Sequence, residues 1–196
     1  MRTPSDVAFT PTVKAVQAEK GSRRAYARME AGDGWSVDLD DDLADFIGRQ
    51  RSFYLATASA DGQPYVQHRG GPRGFLRVLG PRTLGFADVE GNRQFISVGN
   101  LRENPKVHVF LMDYANRQRV KVWGTATVVE GDEALLAKLA MPGGGRPERA
   151  VLIDVVAWDV NCPRNIPLLV EAEAVKALLD EKDRRIAELE ARLAQR

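Results

Sequence analysis

The stretch SFYLATASADGQPYVQHR, residues 52–69, decides the fold. From Ser52 to Ser59, the residues Phe53, Leu55 and Thr57 alternate with Tyr54, Ala56 and Ala58, the period of a strand whose two faces meet different surroundings. Asp61-Gly62 is a strong hairpin signal, because a tight hairpin turn needs the positive φ that glycine takes freely. Tyr65–Arg69 is then the return strand, so the centre of the chain begins as an antiparallel hairpin.

Working outward, four more stretches read as strands: Phe75–Leu79, Thr83–Ala87, Val107–Met112 and Arg119–Val129. Ala150–Val156 is a seventh. Short strands separated by turns predict an antiparallel barrel or sandwich. Helical pieces are expected near 92–103 and 132–140, the second capped by Asp132. Upstream, residues 39–50 read as a helix with Leu43, Phe46 and Ile47 on one face. Its acidic first turn, Asp40, Asp41 and Asp42, suits the positive end of a helix dipole. Residues 142–149 read as a loop. Its glycines, Gly143, Gly144 and Gly145, lack the Lys and Ser/Thr of a phosphate-binding loop.

Three segments follow: a helical arm over 1–36, a barrel domain over 37–170 and an amphipathic helix over 171–196. The arm opens a helix with Thr10 before Pro11. Its apolar stripe (Val13, Val16, Ala25) is thin and is interrupted at Gly21-Ser22, so it is expected to lean on another surface, such as a partner subunit. In the tail, Val175, Leu179, Ile186, Leu189 and Leu193 follow a four-three alternation with Lys182 in one slot, a short coiled-coil seam. That seam suits self-association and packing on the chain's own barrel equally.

Composition narrows the function. Lys plus Arg number 28 and Asp plus Glu 27, for a formal net charge of +1. A general nucleic-acid binder would carry a basic excess. Cys162 is the single cysteine, so there is no internal disulfide framework, and two histidines with one cysteine make no zinc-finger spacing. Asp154 breaks the longest apolar stretch, and Asp6 and Lys14 sit where a secretory signal would need an apolar core. The expectation is a soluble cytoplasmic protein with no membrane or nucleic-acid partner.

No nucleophilic triad or acid–base pair stands out around His68 and His108, and Cys162 reads as a structural thiol. What stands out is polar residues where barrel strands should be plain. Gln67, His68 and Arg69 close one strand before Gly70-Gly71, and Gly91, Asn92, Arg93 and Gln94 open a helix just after another. A helix-opening turn with free backbone N–H groups and an arginine suits an anion. A solvent-facing cap with an exposed arginine is the other reading of the same residues.

Several of these stretches together resemble the pyridoxamine 5′-phosphate oxidase-like family of FMN-binding split barrels. Phe53–Ala58, Asp61-Gly62 and Pro64-Tyr65-Val66 resemble its opening hairpin. Leu84–Asp88 resembles the following strand, and Asn92-Arg93-Gln94 its phosphate-binding turn. Asn100-Leu101-Arg102-Glu103-Asn104-Pro105 resembles the helix end before Val107–Phe110, and Arg119–Ala126 its long strand. The likeness covers residues 45–130. Gln67–Pro72 and Asn161-Cys162-Pro163 are similar to an uncharacterised subgroup.

The resemblance implies a mainly β (α+β) fold: an antiparallel six-stranded split barrel with flanking helices, homodimeric, with FMN at the subunit interface. It implies that Arg93 holds the FMN phosphate, with Asn92 and Gln94 adding neutral hydrogen bonds. Gln67, His68 and Arg69 would line the ring or the phosphate, and Phe86, Ala87 and Asp88 the ring or the ribityl chain. Lys121 and Trp123 share a strand face and would supply the far side of the site, from the same or the other subunit. Trp123 also reads as core packing. The chain departs from the pyridoxamine phosphate oxidases proper in its Gln67-His68-Arg69 run, its helical tail without His, and extra residues between Arg93 and Asn100. FMN binding is therefore expected and pyridoxamine phosphate is not assigned as substrate. The expected function is an FMN-dependent oxidoreductase of unknown small-molecule substrate. The alternatives are a flavin-binding sensor module, or a split barrel using a deazaflavin or haem.

Overall fold

Alternation in the decisive stretch becomes pleat. In a computed structural model describing residues 3–32, 34–160 and 163–195, β1 (Ser52–Ala58) buries Phe53, Leu55 and Thr57. It pairs with β2 (Pro64–Gly70), with Phe53 opposite Arg69 and Leu55 opposite Gln67. Gly62 takes φ +90° in the turn between them. Asn161 and Cys162 lie outside the described residues, so the expected structural thiol does too.

The remaining strands are β3 (Arg77–Gly80), β4 (Thr83–Val89), β5 (Lys106–Asp113), β6 (Gln118–Val129) and β7 (Pro147–Val160). They form one seven-stranded sheet in the order β2-β1-β5-β6-β7-β4-β3. The fold is the expected antiparallel split barrel. It carries seven strands, one more than the six-stranded barrel that the resemblance implies, and all seven alternating stretches are used. Strand β7 begins at Pro147, so the glycine loop is shorter than the expected 142–149. Inward residues of the strands, among them Phe53, Leu55, Leu84, Phe86, Val109, Leu111, Val122 and Ile153, make the main core. Helix α3 (Asp41–Arg49) adds Leu43, Phe46 and Ile47, and Asp40 caps it by accepting from the Leu43 N–H at 2.8 Å. Gly124 sits at a bulge of β6, where a Cβ would meet the Asp154 carbonyl oxygen at 2.5 Å.

The arm folds as a short 3-10 turn (Pro4–Val7) and two helices, α1 (Pro11–Glu19) and α2 (Arg23–Ala31). Its stripe is as thin as expected, with Val13 and Val16 exposed. It leans on the chain's own barrel instead through aromatic rings: Phe9 packs on Tyr26 and Trp35, and Trp35 stacks on Trp123 of β6 at 4.5 Å. Glu30 ties the arm internally, accepting from Ser5 and pairing with Lys14 and Arg23.

Helix α4 runs from Ile96 to Glu103 and α5 from Glu133 to Leu139, the latter capped by Asp132 as expected. The described residues form two compact units. One runs to Met112 and resumes at Arg119; the other holds Asp113–Gln118 and the C-terminal stretch. In the second unit, α6 (Ala172–Ala194) is a continuous helix that buries none of its residues. No helix among the described residues is long and apolar enough to cross a membrane.

Candidate functional site

Strand alternation brings three charged residues to one end of the barrel core. On β4 the buried column Leu84, Phe86 continues to Asp88, which is only 6% exposed. Its cross-strand partner on β7 is Arg149, 8% exposed, on the same inward column as Val151, Ile153 and Val155. On β2, Arg69 stands opposite Phe53 and therefore on the core side of its strand. The three meet. Arg69 Nη1 donates to Asp88 Oδ1, and Arg149 Nη1 donates to Asp88 Oδ2 at 2.8 Å.

One carboxylate thus serves two guanidinium groups. Arg149 recruits two more acids, Glu130 at 3.2 Å and Glu148 at 2.9 Å. Burial disfavours its charge, but the hydrogen bonds it donates to Asp88 and Glu130 outweigh that, and its pKa lies above the ordinary guanidinium value. Arg69 keeps a buried Nε without a partner. A buried donor left unmade is costly, so this atom marks a place where an acceptor is wanted.

The segment beyond β4 turns towards this cluster. Residues 92–95 were expected inside a helix; the helix starts only at Ile96. Arg93 (φ +57°) and Phe95 (φ +54°) take the left-handed conformation, which no helix interior accommodates. Asn92 Oδ1 accepts from the Gln94 N–H at 3.3 Å, a local turn of the kind asparagine favours. The Phe95 ring lies 5.7 Å from the Arg93 guanidinium and 5.2 Å from that of Arg149. A non-glycine residue held at positive φ costs on the order of 1–3 kcal/mol and persists where its surroundings over-determine it.

These residues line a polar groove of about 270 Å³ with Gln67, Arg69, Asn92, Arg93, Ser97 and Arg149 on its wall. Ser97 Oγ donates to Gln67 Oε1 at 2.9 Å, joining α4 to β2. Arg69 also borders a second cavity of about 220 Å³, walled by Phe75, Phe86, Ala87, Leu139 and Met141. A charged groove therefore runs into an apolar pocket across one arginine. Gly144 and Gly145 of the glycine loop border the apolar pocket.

The expected site residues separate into three sets. Gln67, Arg69, Asp88, Asn92, Arg93 and Gln94 come together around the polar groove, and Phe86 and Ala87 line the apolar pocket. His68 is on the opposite face of β2 from Gln67 and Arg69, edge-to-face against Tyr54 at 5.6 Å, and only borders the pocket. Lys121 and Trp123 do share a face, but it is the one turned away from the core residues Val120 and Val122, and they line neither cavity. There Lys121 pairs with Asp159 at 3.0 Å and stands over the rings of Trp35 and Trp123. His108 packs on Trp123, and burial, with Lys121 nearby, holds its pKa below the ordinary imidazole value.

Sequence reasoning missed Arg149 and Ser97. A signal for Arg149 existed: it opens the alternating column that continues Val151, Ile153, Val155, so an arginine stands where the pattern demands an apolar residue. Ser97 carried none, since its partner Gln67 is thirty residues away in sequence. Among the described residues no group of three or more His, Cys, Asp or Glu is placed to hold a metal.

Comparison with the curated proteins finds no match. Among solved structures, HupZ of Group A Streptococcus superposes with a TM-score of 0.52 at 19% identity, covering 67% of this chain and 99% of its own. A single-residue variant of HupZ gives 0.52 at 18% identity, covering 63% and 99%. At that identity the likeness speaks for the fold alone. A candidate pyridoxamine 5′-phosphate oxidase from Lactobacillus delbrueckii gives 0.49 at 24% identity, covering 63% and 95%. The sequence profile of pyridoxamine 5′-phosphate oxidase matches residues 39–162, from the residue before the α3 cap to two residues past the end of β7. That span takes in the whole seven-stranded sheet and both cavities, and the chain belongs to the pyridoxamine 5′-phosphate oxidase family.

Proposed function

We propose that the protein binds FMN along this groove and pocket and acts as an FMN-dependent oxidoreductase on a small molecule. The observation that carries the reading is the convergence of Arg69, Arg93 and Arg149 on one groove that opens, across Arg69, into an apolar pocket. FMN has that same polarity: a phosphate dianion at one end and a flat, largely apolar ring at the other.

The residues fit the group. The orphaned Arg69 Nε supplies a donor with no partner of its own. Arg93 is exposed and free to swing its fork onto a phosphate, while Arg149 and Arg69 are held in place by Asp88. Asn92, Gln94 and Ser97 add neutral groups, and the first residues of α4, Ile96, Ser97 and Val98, line the groove. Phe86 and Phe75 wall the ring's pocket and exclude water. FMN supplies the electron-accepting ring when bound; the protein supplies binding, orientation and electrostatics.

The protein is proposed to be a homodimer with the ligand at the interface. Tyr54 and Val66 are exposed apolar residues on the outer face of the β1–β2 hairpin, and Lys121 and Trp123 face outward. The cellular setting proposed is the cytoplasm.

Calorimetric titration with FMN tests the reading, with one equivalent bound per chain expected. A colourless protein that ignores added FMN would overturn it in favour of a deazaflavin or haem. Oxidation of reduced nicotinamide by the FMN-loaded protein then separates an oxidoreductase from a sensor.

A further inference from the structure

We propose that α6 pairs with α6 of a second copy of this chain as a parallel, in-register two-stranded coiled coil. The proposal does not depend on what the barrel binds. Its starting point is an apolar seam: Val175, Leu179, Ile186, Leu189 and Leu193 are 43–68% exposed along one side of the helix. Written as heptads, Leu179, Ile186 and Leu193 occupy a, and Val175, Lys182 and Leu189 occupy d.

The flanking charges choose the occupant. Lys176, Asp183 and Glu190 fall at e, and Leu178, Arg185 and Arg192 at g. In a parallel in-register pair, each g residue faces the e residue of the partner's next heptad. Arg185 then faces the partner's Glu190, on both sides of the seam. In an antiparallel pair, g faces g and e faces e, which sets Arg185 against Arg185 and Asp183 against Asp183; only Lys176 and Glu190 are then opposite in sign. Like charges at these flanks select partner orientation. Within one helix Arg185 already reaches Glu188 at 2.8 Å, an exposed pair that competes weakly.

Lys182 strengthens the assignment. A single polar residue in an apolar seam sets register and strand number at a cost in stability. From d, its stem can lie along the seam while the ammonium turns out towards the partner's Asp183. Acidic and basic residues are nearly balanced along α6, so its polar face offers no particular attraction to an anionic membrane. Three heptads are short for a free coiled coil, so pairing leans on the local concentration that the rest of a dimeric chain provides.

The test uses the full chain with Cys162→Ser to remove the native thiol. Leu189→Cys, at d, should form an intermolecular disulfide about tenfold or more faster than Ala187→Cys, which faces away from the seam. Adding Arg185→Glu to Leu189→Cys should slow cross-linking about fivefold, and adding Glu190→Arg as well should restore it. Lys182→Leu should hasten it. Equal rates for the two cysteine positions would overturn the pairing, whether α6 is bare or covered by something else. Faster cross-linking with Arg185→Glu, or no rescue by Glu190→Arg, would overturn the parallel arrangement.

Discussion

Two regions of the barrel mix cations with aromatic rings, and they differ in how the charge is settled. On the outer face, Lys121 has Asp159 at 3.0 Å and two indole rings beneath it, and the neighbouring His108 is held below its ordinary pKa. Lys121 is matched there, while Arg119 on the same strand face keeps a buried Nε without a partner. At the end of the core, Asp88 is shared between Arg69 and Arg149, Arg69 keeps a buried donor unmade, and Arg93 stands at positive φ over the same groove. The first region anchors the arm through Trp35 stacked on Trp123. The second gathers three arginines on one groove with one buried donor, Arg69 Nε, left for an acceptor to meet.

The largest effect that could break this contrast is at Asp88. Asp88→Asn leaves two arginines buried around a neutral amide and should cost about 3–5 kcal/mol of stability, read by denaturant unfolding. Inorganic phosphate should recover part of that loss in the variant. A loss below about 1 kcal/mol would mean the arginines settle their charge elsewhere. At the β6 bulge beside Trp123, Gly124→Ala drives a Cβ into the Asp154 carbonyl and the buried Ile153 side chain and should cost about 1–3 kcal/mol while leaving FMN affinity unchanged. A change in affinity would join the two regions into one site.

Arg93→Ala should do the reverse. Hydrogen bonds to charged groups contribute roughly 1.5–3 kcal/mol, so FMN affinity should fall about tenfold or more, with unfolding hardly moved because the side chain is exposed. Arg93→Lys should recover only part, since a point charge lacks the planar fork. Quenching of flavin fluorescence on titration reads both, and equal dissociation constants for wild type and Arg93→Ala would return Arg93 to a solvent cap. The smallest effect is His108. Its folded pKa lies below the unfolded value of about 6.5, so on acidification through that window the unfolded chain binds more protons. Stability should fall there by at most about 1.4 kcal/mol per pH unit, and His108→Phe should flatten the slope.

Much of the fold was legible because strand pleat is a local property. Phe53, Leu55 and Thr57 alternate in the chain and are buried in the barrel for the same reason. Thr10, Asp40 and Asp132 cap helices where a short polar residue precedes an apolar periodic run. The start of α4 was misjudged because positive φ at Arg93 and Phe95 goes against the intrinsic preference of both residues. The arm's anchor was missed because its partner is Trp123, far along the chain. Much of the site could be named from the resemblance, but Gln67, His68 and Arg69 could not be told apart without the pairing of β2 against β1, which puts His68 on the other face.

By itself, the amino-acid order determined which stretches are strands and helices, and that an arginine-bearing turn follows a strand. It did so because dihedral preference, capping and alternation act between near neighbours. Only the tertiary structure decided that Asp88 and Arg149 lie directly across two strands, that Arg69 joins them from a third, and that Lys121 and Trp123 face away from that cluster. Those decisions come from sheet order and register, which are settled by burying one continuous core, and no window of neighbouring residues contains them.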